Sequence, residues 1–458
     1  MKHSRNETIY KTQHIPTLRF EEQTLTSFAG LVVFQKLFAA LRLRERLRAC
    51  FRHSTVTPMF GPARIMLVLI VHCLLGYRCL RELRFYRDDP MVGRLVGLKR
   101  LPDVATISRT LAQLDEASVE AVQRLPGELV LERLAAVQPS LVTLDFDGSV
   151  LGTRRLAEGT AVGFNARRKG QRSYYPLFCT VAQTGQVLAV LHRSGNVHDS
   201  RGAEAFVAGC IERVRSALPG VRIETRMDSA FFSEALVRRL EALGVAYSIS
   251  VPFARLAELK ARIEGRRRWR RLDADTDCFE WRWQPKSWRR ARRFVCYRQR
   301  VAQRPKQPLQ LDLFTPHEYG YEFKVVLTNA AIAAAVLLQR HNGRGAQEAV
   351  FAQLKSDNAL AYIPANTWRA NQLYATAAVF AHNLTRELQM RTASPQRSTG
   401  NQRRTLWPFA TPSTLRQRLI QRAGRLIRPQ GQLTLSLSAN EAVKAEILHT
   451  LSALDTAA

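Results

Sequence analysis

Residues 141–148 read Leu-Val-Thr-Leu-Asp-Phe-Asp-Gly, an apolar run of strand length that ends in two carboxylates. A strand sends alternate side chains to opposite faces, so Asp145 and Asp147 share a face. Asp is a poor strand residue, and a buried carboxylate needs a partner or a metal. A second run, Val-Arg-Ile-Glu-Thr-Arg-Met (221–227), ends in Asp228, with Ser229 next as a candidate helix cap. Each acid alone has a bland reading as a turn residue. Together they favour a sheet in which strand ends bring carboxylates to one edge.

The rhythm around them supports that sheet. Residues 173–180 and 186–193 read as strands, 202–218 as a helix, 229–243 as a second helix ended by Gly244, and 246–251 as a further strand. Strand and helix in alternation predict an α/β sheet with helices on its faces. Before residue 141 the pattern is helical throughout, over 22–55, 62–87, 105–114 and 116–137, so 1–140 is expected to be a helical DNA-binding or assembly region. The α/β core then runs over 141–251 and resumes over 321–390. Between them, 252–320 reads as a basic, β-rich insertion with strands at 279–283 and 292–298, while Pro- and Gln-rich 303–310 reads as a turn or loose connection. A basic C-terminal region covers 391–458, with a linker at 391–412 and a helix at 416–425.

Charge selects the partner. The 458 residues carry 69 Lys and Arg against 38 Asp and Glu, a formal net charge of +31. A chain this basic is most simply a polyanion binder, because phosphate contacts release counterions, and Arg suits phosphate geometry. The excess concentrates in 262–300, where 14 Lys or Arg accompany only 5 acids and the tryptophans Trp269, Trp281, Trp283 and Trp288. Trp288 is followed by Arg289 and Arg290; the bland reading of the segment is a packed hairpin with a solvated Arg face, and the functional one is a basic surface for DNA. None of the seven cysteines has CxxC spacing, which argues against a zinc knuckle or redox pair. The start has no secretory apolar stretch and the apolar runs are too short to span a bilayer, so a cytoplasmic protein without membrane contact is expected.

A third acid completes the set. His341, Arg344, Glu348 and Lys355 recur at steps of three, four and seven, which places them on one face of a helix. The structural reading is an Arg344–Glu348 ion pair on a solvated face. The functional reading makes Glu348 a third oxygen ligand for magnesium or manganese, flanked by phosphate-binding cations.

These residues carry a family resemblance. Arg344-x3-Glu348-x6-Lys355 is similar to the Tyr-x2-Arg-x3-Glu-x6-Lys pattern of DDE transposases from bacterial insertion sequences, within the IS4-like superfamily and nearest the IS1380 family. Leu-Asp-Phe-Asp-Gly-Ser (144–149) and Arg-Met-Asp-Ser-Ala-Phe-Phe (226–232) resemble its first two acidic motifs. The resemblance implies an RNase H-like mixed sheet with flanking helices, an N-terminal helical region and a β-rich insertion before the last acid. It also implies a catalytic, metal-holding triad of Asp147, Asp228 and Glu348, serving about two Mg²⁺ or Mn²⁺ ions. Asp147 is preferred to Asp145 because Ser149 follows it at the family's spacing, which leaves Asp145 as a supporting acid. Arg344 and Lys355 would bind DNA, as would His341, which occupies the family's Tyr position. An insertion tryptophan would hold a flipped base, with no single Trp singled out. The implied activity is cutting at terminal inverted repeats and strand transfer into target DNA by at least a dimer, on nucleoid DNA in a bacterium. A nuclease without strand transfer, or an inactive repeat-binding protein, shares most of these residues.

Overall fold

At residue 141 the helical block gives way to the sheet. The computed structural model describes residues 15–20, 24–56, 59–163, 165, 168–197, 201–300, 320–397 and 403–456; the stretch 303–310 lies outside them. The helical block holds α1 (Leu31–Ala40), α2 (Leu43–Cys50), α3 (Pro62–Leu75), α4 (Pro90–Val96), α5 (Val104–Gln113) and α6 (Glu116–Val137). In α3 every side chain from Ile65 to Leu75 is buried, as expected of a helix that is apolar all round. Pro62 opens it and Gly76, at φ +79°, closes it in the left-handed region.

The central sheet contains β1 (Leu141–Gly148), β2 (Leu177–Val181), β3 (Gln186–Leu191), β4 (Arg222–Met227), β5 (Ala246–Ser250), β6 (Thr276–Trp283), β7 (Arg292–Arg300) and β8 (Tyr321–Thr328). With the short edge strand Arg270–Arg271, the order is 270–271, β6, β7, β8, β5, β4, β1, β2, β3. The pairs β1–β4 and β4–β5 are parallel, and the others are antiparallel. The basic strands β6 and β7 thus extend the central sheet beyond β8 rather than building a sheet of their own. On one face, Val142, Leu144 and Phe146 of β1 share an apolar core with α7 (Ala203–Ala217) and α8 (Glu234–Ala242). A small helix, α9 (Ala257–Glu264), leads into the basic strands.

Three helices follow the sheet: α10 (Ala334–Asn342), α11 (Ala346–Ser356) and α12 (Trp368–Thr392). The long α12 is buried over most of its length and packs along α3 and α6. Its Asn383 accepts from Val187 N at 2.9 Å and donates to Val187 O at 2.8 Å, so a side chain occupies the groups that edge strand β3 leaves open. The C-terminal segment returns to the helical block. Gly424–Ile427 pairs antiparallel with both Leu25–Thr26 and Thr434–Leu437, and the final helix α13 (Glu441–Thr456) packs on α1 and α12.

Some boundaries differ from expectation for local reasons. Residues 229–243 form a 3-10 turn, Ser229–Phe231, and then α8, because there are two caps. Asp228 Oδ1 accepts from Ala230 N at 3.1 Å, and Ser233 Oγ accepts from Leu236 N at 3.3 Å. The helix expected at 416–425 is instead a short turn, Pro412–Leu415, running into a π-type turn at Arg416–Ile420. There Arg416 donates to Leu74 O and Asp357 O, at 3.1 and 2.7 Å, and so caps the end of α3. Among the described residues of the expected linker, Leu406 and Trp407 are buried against Met390.

Candidate active site

The second face of the sheet is polar in its middle. Alternation along β1 puts Thr143, Asp145 and Asp147 on that face, opposite Val142, Leu144 and Phe146. Alternation along β4 does the same for Glu224, Arg226 and, one step past the strand, Asp228. The parallel register sets Thr143 beside Glu224 and Asp145 beside Arg226, with Arg226 in turn beside Ser248 of β5. The paired residues end at Phe146 and Met227, so Asp147 and Asp228 leave adjacent strand ends together. Both are half-buried.

Helices α10 and α11 cover this face. They are joined by a 3-10 turn, Gly343–Gly345, so the single helix expected through 341–355 is tightened at that point. Right-handed backbone angles persist through the turn. From this cover Arg344 Nη1 reaches Asp147 Oδ2 at 2.8 Å, while Asp147 Oδ1 accepts from Gly148 N at 2.7 Å. Glu348 sits exposed in the first turn of α11, and Lys355 is half-buried near its end. Among the described residues, no group of three His, Cys, Asp or Glu side chains is gathered to hold a metal. The structure therefore joins Arg344 to Asp147, and the parallel register brings Asp147 and Asp228 to neighbouring strand ends.

His341 lies elsewhere than its place in the motif suggests. It is 3% exposed, with Nδ1 3.1 Å from Ser248 Oγ and Nε2 2.8 Å from Ser250 Oγ. Burial, reinforced by Lys324, Arg344, Arg226 and Arg340, pushes its pKa down to about 3. A neutral imidazole donates with one nitrogen and accepts with the other, so His341 links α10 to β5 inside the protein. DNA contact by His341, one of the sequence expectations, does not fit this burial.

The tryptophans divide likewise. Trp288 is buried and stacks on Phe232 at 5.0 Å, beside the turn that carries Asp228; it packs the core instead of facing a ligand. Trp269, Trp281 and Trp283 are half-buried in an aromatic layer with Phe279 and Phe294. The Arg298 guanidinium lies 4.5 Å from the Trp269 ring centre. Arg289 and Arg290 are exposed.

Sequence reasoning names Asp145 as a supporting acid but passes over the buried charges beside it, Arg226 and Glu224. Asp145 is 1% exposed and receives two bonds from Arg226, at 2.5 Å from Nε and 2.7 Å from Nη2. Burial pushes the Asp145 carboxyl up, and the Arg226 guanidinium pulls it back. Glu224, also buried, accepts from Thr143 Oγ1 at 2.8 Å and from Arg403 Nε at 2.7 Å, and pairs with Arg340 at 2.9 Å. The available signal was the period-two alternation Glu224, Arg226, Asp228, which places all three on one face.

A mixed sheet flanked by helices, with a helical N-terminal region and acids at adjacent strand ends, is the RNase H-like architecture of DDE enzymes. The family described as Transposase DDE domain group 1 matches residues 9–458, and the chain belongs to it. Membership brings the family's catalytic activity on DNA, which generally uses divalent metal. No curated protein matches the sequence. Among solved structures, the piggyBac transposase synaptic complex with hairpin DNA is similar at 11% identity and a TM-score of 0.42, over 78% of this chain and 74% of that one. The Mos1 transposase paired-end complex with left transposon end matches at 13% identity and a TM-score of 0.17, over 37% and 56%. Among the described residues no helix is long and apolar enough to cross a membrane.

Proposed function

We propose that this protein is an insertion-sequence transposase of the IS4-like superfamily, nearest the IS1380 family, that cuts DNA at terminal inverted repeats and joins the freed end to target DNA. One contact carries the reading: Arg344, first residue of the Arg-x3-Glu-x6-Lys motif, is bonded to the strand-end acid Asp147 at 2.8 Å. That bond ties the helix motif to the sheet motif, which the sequence alone leaves unconnected.

Asp147, Asp228 and Glu348 are the residues proposed to hold magnesium or manganese, with about two ions at the site. The donor set fits: three carboxylates offer the hard oxygens these ions prefer, and Asp147 Oδ2 already faces a cation, the Arg344 guanidinium. The reading requires Glu348 to close on the strand-end pair when DNA binds. Bound metal supplies an activated water or 3′-hydroxyl and neutralises the leaving oxygen. The chain's own part is to orient the scissile phosphate. Arg344 presents a planar fork that binds phosphate as well as carboxylate, and Lys355 extends the positive surface along α11. Asp145 supports from below. Trp269, Trp281, Trp283, Arg289 and Arg290 would track the DNA next to the cut. Two ends must be held together, so the acting species is proposed to be a homodimer.

The test is cleavage of labelled terminal-repeat duplex with Mg²⁺ by wild type, Asp147→Asn, Asp228→Asn and Glu348→Gln. Each variant is expected to lose cutting while still binding the ends. Normal cutting by Glu348→Gln would sink the triad. Cutting by wild type with no joined product from a 3′-hydroxyl donor would reduce the activity to that of a nuclease.

A further inference from the structure

Arg226 is fully buried, and its three hydrogen bonds join two elements, β1 and α10. It binds Asp145 of β1 through Nε and Nη2, and donates from Nη1 to Arg340 O at 3.0 Å, in the last turn of α10. Gln347 of α11 adds a bond to Asp145 O at 3.0 Å. The pair from β1 and β4 thus holds both sides of the 343–345 turn. Gly343 makes the approach possible, because a Cβ there would stand 2.3 Å from Arg226 Nη1. Arg344 lies within that turn, and Glu348 follows it in the first turn of α11.

We infer that Arg226 is a positioning residue for DNA cutting: anchored by Asp145, it fixes the height and rotation of the 343–348 turn, and through it Arg344 and Glu348, over Asp147 and Asp228. The inference rests on the proposed role of those four residues. A buried ion pair is weak evidence for stability, since apolar residues of similar volume often replace one at little cost. What such residues do not replace is direction. Two fork bonds to Asp145 and a third to a helix carbonyl fix the guanidinium plane, and with it the turn resting on it. Asp145 and Arg226 are also the last paired charged residues before the strand ends. Rotation of the cover at this point moves Arg344 relative to Asp147.

The decisive variant is Asp145→Leu/Arg226→Met, which removes the charges together and keeps the volume. Its expected behaviour is wild-type folding and end binding, with single-turnover cutting at saturating DNA slowed by roughly 100-fold, the scale of an ångström-level misplacement. Amide exchange over 343–348, followed by mass spectrometry, should quicken. Cutting at the wild-type rate by the folded double variant would overturn the inference, as would unchanged exchange in that turn. Failure of wild type to cut in Mg²⁺ would instead overturn the underlying reading, so the two failures are distinguishable. Should the double variant not fold, Gly343→Ala decides, because alanine favours the helical backbone yet forces the turn off Arg226. Slower cutting at undiminished thermal stability supports positioning, and wild-type cutting overturns it.

Discussion

Two buried regions of this protein are built on opposite plans. Where α3 meets α12, helix packs on helix through an apolar core that includes Ile65, Leu69, Leu373 and Phe380. Where α10 and α11 meet β1, β4 and β5, the interface is made of Asp145, Arg226, Glu224, Arg340, His341 and Gln347. Apolar packing is non-directional and tolerates repacking, so the first region supplies stability. The second is costly to desolvate and fails when one partner is lost, but it fixes angles that oil-like contacts leave free. The site stands over the second.

The comparison can be broken in several ways. The largest effect is expected from Asp145→Ala, which strands a buried guanidinium and costs about 3–5 kcal/mol in denaturant unfolding. Leu373→Ala costs about 2–5 kcal/mol by cavity formation. Per folded molecule, however, the Leu373 variant should cut DNA normally and the Asp145 variant should not; equal cutting by both would erase the distinction. A smaller effect follows from Asn383→Ala, a polar side chain that α12 directs at edge strand β3. It leaves the Val187 backbone groups unpaired at about 1–3 kcal/mol, with cutting by the folded fraction unchanged.

The smallest effect at neutral pH is expected from His341→Gln. In the folded protein the His341 pKa is held at about 3, below its usual 6.5. The unfolded chain therefore takes up the proton first, and stability present above about pH 6.5 is lost as pH falls toward 3. His72, at about 4, and His382, at about 3, act in the same direction. Unfolding curves of His341→Gln between pH 7 and 4 should show a shallower decline than wild type. An identical slope would mean that the imidazole is not held neutral by this face.

Much of the plan was legible where pattern and packing agree. The strand of 141–148 follows from its unbroken apolar run, and the helix Glu116–Val137 and strand Tyr321–Thr328 from the apolar patterns of their sequences. The strand-end acids were visible because carboxylates are rare after such runs. The burial of His341 was not, since it depends on Ser248 and Ser250, which come from a strand about ninety residues earlier. Trp288 reads as a ligand platform in a basic segment until Phe232 is seen stacked against it. Arg226 and Glu224 look like solvated strand charges, because sequence does not tell which helix will cover them.

The pairing of Leu25–Thr26 with Gly424–Ile427 also bears on how the chain is made. A ribosome delivers the first of these strands long before the second. Until residues 424–427 emerge, the edge at 25–26 has no partner and the helical block lacks one of its walls. By then the whole central sheet has left the exit tunnel. A nascent chain would therefore complete its sheet first and close its first-made region last, and products stopped short of residue 424 would carry the acids on a body left open at its beginning.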